Sequence, residues 1–132
     1  CLPLFTKPFL FTLNLLQATP YMPNIENKIL FLEDDNLSGD VFLMEFDRNL
    51  QSLMHMPEFK TVKGIVLGRA EVASCMTVEK WTKLIKNKPE LAHIPVIGNA
   101  NFGHTTPIMT FPVGGHAKLV AKENKIELLI KG

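Results

Sequence analysis

Three short apolar runs alternate with two stretches of helical periodicity, and that order constrains the fold more than any other feature of the chain. The runs are Lys28–Glu33 (Lys-Ile-Leu-Phe-Leu-Glu), Val62–Gly68 (Val-Lys-Gly-Ile-Val-Leu-Gly) and Ile94–Gly98 (Ile-Pro-Val-Ile-Gly). Short apolar runs bounded by turn formers read as buried strands. Between the first two, Val41–Met56 repeats Phe42, Phe46, Leu50, Leu53 and Met54 at helical spacing, while Asp47, Arg48 and Gln51 point elsewhere. Ser38 and Asp40 stand where caps belong after the turn-rich loop Asp34–Gly39, and Pro57 ends the helix. Thr77 opens the second helix, with Val78, Trp81, Leu84 and Ile85 on one face and a stop near Pro89.

The last third changes character. A polar segment, Asn99–Pro107, follows the third run, and Ile108–Phe111, Ala117–Ala121 and Ile126–Ile130 read as further short strands. Lys122-Glu123-Asn124-Lys125 fits a hairpin turn between the last two. Upstream, Thr12–Ala18 closes a helix, and Thr19-Pro20-Tyr21-Met22-Pro23 is an extended connector, because each proline disfavours helix in the residue before it. The predicted fold is α/β: a mixed sheet with two main helices and a β-rich C-terminal third. The pattern fixes no strand order.

At 132 residues the chain is long enough for one domain with a real core. A formal net charge of +1 argues against a nucleic-acid partner, which calls for a clustered basic face. The lysines Lys80, Lys83, Lys86 and Lys88 read as a solvated helix face. Cys1 and Cys75 form neither a disulfide framework nor a metal-type pair, consistent with reduced thiols in a cytoplasmic protein. The apolar opening, broken by Pro3, Lys7 and Pro8, is too short to span a bilayer and lacks the charged n-region of a signal peptide. The first residue is not methionine, as in a fragment or a processed product.

Among the four histidines, His55 and His93 read as surface residues, and His116 opens a strand after Gly114-Gly115. His104 differs, since Asn101-Phe102-Gly103-His104-Thr105-Thr106-Pro107 places it in a loop beyond an apolar strand, where scaffolds present functional groups. By itself it stands equally as a structural loop histidine. Glu33-Asp34-Asp35 ends another strand; a carboxylate there is either a solvated turn or the group that orients a histidine. A base and its orienter still need a nucleophile. None of Ser38, Ser52, Ser74 or Cys75 sits in an elbow that would expose it. Glu33, Asp34, His104 and His116 lack the short spacing of a zinc site, and Gly114-Gly115 belongs to no phosphate loop.

Several blocks, in order, resemble the C-terminal domain of the LD-carboxypeptidase family of serine peptidases, nearest its microcin C self-immunity branch. They are Leu15-Leu16-Gln17 leading to Thr19–Pro23, Lys28–Asp34, Phe46-Asp47-Arg48 with Leu50, and Gly64–Arg69. Ile94-Pro95-Val96, Phe102–Pro107, Thr110-Phe111-Pro112 and Gly114-Gly115 complete the set. The likeness runs from about Leu13 to the end.

The resemblance implies a Ser-Glu-His triad whose serine lies in an N-terminal domain, while the glutamate and histidine fall here on Glu33 and His104. Glu33 is preferred over Asp34 because the motif sets the acid directly after the strand. It further implies amide-bond cleavage without a metal or organic cofactor. The implied substrates are murein tetrapeptides or, in the immunity branch, peptidyl nucleotides, and the implied setting is a cytoplasmic homodimer.

On this reading, residues 1–23 are an atypical segment and connector, 24–132 are the C-terminal domain, and the nucleophile domain is missing. The family's Gly-Gly-Asn stretch before Thr12 is replaced by Lys7-Pro8-Phe9-Leu10-Phe11. The chain is then either one half of a serine carboxypeptidase or amidase, inactive alone, or a non-catalytic truncated remnant or binding module. Losing the nucleophile and the oxyanion hole removes most of the acceleration of acyl transfer.

Overall fold

The computed structural model describes residues 2–3, 10–34 and 38–132. Residues 35–37 of the expected Asp34–Gly39 loop, and Cys1, lie outside the described residues. The three apolar runs become strands β2 (Ile29–Leu32), β3 (Gly64–Arg69) and β4 (Val96–Gly103), after a two-residue β1 (Leu2–Pro3). They pair in parallel in the order β2-β3-β4, with Leu32 opposite Leu67 and Ile65 opposite Val96. Strands β5 (His116–Lys122) and β6 (Lys125–Lys131) form the expected hairpin, and β1 pairs antiparallel along β5. Parallel and antiparallel strands are thus both present, as a mixed α/β fold requires, but they divide between two sheets.

Strand alternation explains the layering, because successive side chains leave opposite faces. Leu30, Leu32, Ile65 and Leu67 face one core with the helices; Ile29, Phe31 and Val66 face a second core with Phe102, Ala117 and the hairpin residues Leu119, Leu128 and Ile130. Both faces of β2 are therefore apolar, which is why its sequence reads as a continuous run.

Helix α1 (Leu10–Asn14) buries Leu10 and Leu13 and is shorter than the segment expected to be helical; turns follow it. Asn14 ties it to α2 (Gly39–Met54) by donating to the Asn49 carbonyl at 2.8 Å. The periodic residues Phe42, Phe46, Leu50, Leu53 and Met54 are all buried. Helix α3 (Val78–Lys86) starts where the Thr77 hydroxyl accepts from the Lys80 amide. Its Trp81 meets Phe46 edge-on at 4.9 Å between centroids, fixing α3 against α2.

Three expectations change. Ile108–Phe111 is not a strand; Pro107 and Pro112 bracket it, and proline donates nothing to a ladder. Lys88 is not a solvated lysine: it is buried, with its ammonium 2.7 Å from Asp47 and donating to Gln51 at 3.1 Å. Finally, β4 does not stop at Gly98. Its register with β3 slips from Val66↔Ile97 to Gly68↔Ala100 and then Arg69↔Gly103, so the polar residues after Gly98 stay in the sheet. Asn99 adopts a left-handed φ of 60° within this irregularity, a conformation asparagine tolerates better than most residues.

Candidate active site

Parallel strands end together, and α/β proteins bind ligands beyond those carboxyl ends. Three ionisable residues mark the three strand ends there. Glu33 follows β2, Arg69 closes β3 and His104 follows β4. The extension of β4 matters for this arrangement, because it carries the chain to a point where Gly103 pairs with Arg69 and His104 emerges beside it.

Nδ1 of His104 lies 3.4 Å from Oε2 of Glu33, with 23% of the histidine side chain and 5% of the glutamate side chain exposed. This is longer than an optimal N–H···O bond, and such contacts commonly tighten when substrate arrives. A carboxylate on Nδ1 orients the ring, and the proton chemistry then passes through Nε2. Glu33 is itself held from behind, since its carbonyl accepts from the Leu10 amide at 2.8 Å, docking the start of α1. Asp34 is also buried, but Glu33 is the acid whose contact with His104 the structure records.

Gly103 makes the approach possible. Its φ is +118°, and a Cβ there would fall 2.8 Å from the Arg69 carbonyl oxygen and 3.0 Å from Oε2 of Glu33. Only glycine occupies that backbone region without strain and leaves the carboxylate in place. Beneath the pair, Phe102 is buried against Phe31 and Phe111, with centroids 5.6 Å away in each case, so the strand end rests on a rigid aromatic floor.

The other candidates lie elsewhere. His55 caps the end of α2, His93 is exposed, and His116 opens β5 opposite Lys131. Ser52 bonds with Gln17, while the buried Ser74 hydroxyl donates to the Glu71 carbonyl at 2.5 Å. Cys75 is exposed and free. Among the described residues no three histidine, cysteine or acidic groups gather to hold a metal, and no helix is long and apolar enough to cross a membrane. Arg69 and Gly103 were not singled out by sequence. The signal was there, in a polar residue closing an apolar strand and a glycine directly before the histidine.

Residues 10–119 match the LD-carboxypeptidase C-terminal domain, and the chain belongs to that family. Similar proteins include a putative carboxypeptidase, YocD, of Bacillus subtilis, 49% identical over 83% of this chain. The microcin C7 self-immunity protein MccF of Escherichia coli is 31% identical over 78% of this chain. The chain covers 33% and 29% of those two relatives, about a third of their length. Among solved structures, an MccF-like protein of Bacillus anthracis superposes with a TM-score of 0.90 at 50% identity, over 97% of this chain and 39% of that one. A muramoyltetrapeptide carboxypeptidase of Oxalobacter formigenes gives 0.73 at 30% identity, over 98% of this chain and 45% of that one.

Proposed function

We propose that Glu33 and His104 are the acid and the base of a Ser-Glu-His triad that cleaves a peptide or amide bond, with the serine supplied by sequence outside these 132 residues. The observation that carries the reading is the imidazole–carboxylate contact held at the carboxyl ends of the parallel strands. Membership of a carboxypeptidase family supports it. In the proposed cycle, Nε2 of His104 takes the serine proton as the hydroxyl attacks the carbonyl carbon. Glu33 stabilises the imidazolium so formed. The same proton then passes to the departing amine, and water attacks the acyl-enzyme with His104 again as base. The substrates proposed are murein-type peptides or peptidyl nucleotides, as in the two kinds of relative.

The test is reconstitution. The 132-residue chain alone should show no amide hydrolysis, and fusion or mixing with a nucleophile domain of the family should restore it. In restored material Glu33→Gln should lower kcat by about 10⁴-fold, as when the orienting acid of a triad is neutralised. Hydrolysis by the chain alone that survives His104→Ala would refute the scheme. Equal effects of Glu33→Ala and Asp34→Ala would refute the choice of acid.

A further inference from the structure

The carboxyl ends of the parallel strands carry a third ionisable residue, one that the triad does not use. Arg69 closes the central strand, so it sits between the strand of Glu33 and the strand of His104. Its guanidinium is braced on one side, where Nη2 donates to Oδ1 of Asn101, three residues before His104. Asn101 is itself fixed, because its carbonyl accepts from the Met109 amide at 2.6 Å.

Two observations show that this bracing does not use up the cation. Arg69 Nε is buried and has no hydrogen-bond partner among the described residues. No ion pair among the described residues involves Arg69. A half-buried guanidinium with five donors, one neutral side-chain acceptor and no anion is incompletely satisfied. Such groups are matched to planar oxyanions, which they bind through paired hydrogen bonds.

We propose that Arg69 receives the anionic group on the leaving half of the substrate. That group is the terminal carboxylate of a peptide or the phosphate of a peptidyl nucleotide, held beside the base that protonates the departing amine. This rests on the reading of Glu33 and His104 as the reacting pair, and it makes Arg69 a specificity-determining residue, with Asn101 positioning it. An exopeptidase must distinguish a chain end from a chain interior, and the free carboxylate is what differs.

Binding tests this without the serine. The full chain, labelled with ¹⁵N, is titrated with N-acetyl-D-alanine, with its carboxamide and with adenosine monophosphate, while the Arg69 Nε–H and His104 ring signals are followed. The carboxylate should shift both signals and the carboxamide neither. Arg69→Met should weaken carboxylate binding at least about tenfold, the loss expected for a charged hydrogen bond. Asn101→Ala, which removes only the brace, should weaken it less. Adenosine monophosphate competing for the same signals would assign the phosphate source; its failure to compete would assign the carboxylate.

Equal binding of carboxylate and carboxamide, or unchanged affinity in a folded Arg69→Met, overturns the proposal. Should Arg69→Met unfold, Arg69→Lys decides, because it keeps the charge and should retain the preference for carboxylate over carboxamide. Loss of that preference in a folded Arg69→Lys with both probes bound equally counts against the proposal. The triad reading fails separately, through absent hydrolysis in reconstituted enzyme while the probe still binds.

Discussion

Replacing Gly103 by alanine should damage the fold and the site together, through one methyl group. The added Cβ would lie 2.8 Å from the Arg69 carbonyl oxygen, 3.0 Å from Oε2 of Glu33 and 3.4 Å from the Arg69 amide nitrogen. The first contact is with backbone of the central strand, which cannot retreat without breaking the β3–β4 pairing. A φ of +118° adds a backbone penalty of about 1–3 kcal/mol for any residue with a side chain. Forcing a methyl into a filled space adds roughly 1–3 kcal/mol more. Together these give a loss of about 2–6 kcal/mol, a large part of the 5–15 kcal/mol typical of a domain. For a chain of this size that is a fall in Tm of roughly 6–24 °C.

Gly98 provides a control on the same strand, because a Cβ there meets nothing within 4 Å. Gly98→Ala should stay within about 1 kcal/mol of the parent, in either direction. Urea unfolding followed by circular dichroism measures both, with an unchanged m-value confirming that stability alone has moved. The His104 ring signals should shift only in Gly103→Ala. If Gly103→Ala stays within about 1 kcal/mol of the parent in urea, or if Gly98→Ala falls as far, the account of the strand end is wrong.

Two further outcomes follow from the ion pairs. Lys88→Ala should cost about 1–3 kcal/mol in urea unfolding, less than breaking a fully buried pair, because Asp47 is 51% exposed and rehydrates. Glu127 on β6 is held below its ordinary value of 4.5 by hydrogen bonds from Lys125 and then Lys118. Since its folded-state value is depressed, its stabilising contribution is present above pH 4.5 and is lost as the pH falls through the folded-state value. The destabilisation caused by Glu127→Gln at neutral pH should therefore shrink on acidification. A carboxyl titration by NMR with its midpoint at or above 4.5 would contradict this.

Much of the fold was open to reading because burial on both faces writes itself into sequence. The runs Ile29–Leu32 and Gly64–Leu67 are apolar throughout since each faces a core on either side, and the residues at helical spacing in α2 are those it buries. Glu33 could be found as the acid that ends such a run. What stayed hidden depends on tertiary context. Asn99-Ala100-Asn101 carries no strand signal, yet a bulge keeps it paired with β3. Phe111 anchors Ile108–Phe111 by packing on Phe31 rather than by a ladder, so an apolar segment is not a strand. Lys88 looked like its solvated neighbours because a buried ammonium is invisible without the Asp47 and Gln51 that receive it. The division into two sheets was equally out of reach, since no local signal says which strands share a ladder.

The order β2-β3-β4 has a temporal consequence. Neither half of the Glu33–His104 pair sits on the central strand: one hangs from β2 and the other from β4, and among the described residues each of these strands pairs on one side only. Local opening of an edge strand can leave a domain otherwise folded. Any opening of β4 from β3 would therefore dissolve the pair, and re-registration through the bulge at Asn99 would restore it. Amide exchange at Phe102 and Gly103, set against that at Val66, would time those interruptions. The fraction of time the edge is closed then becomes an upper limit on the fraction of molecules ready to react.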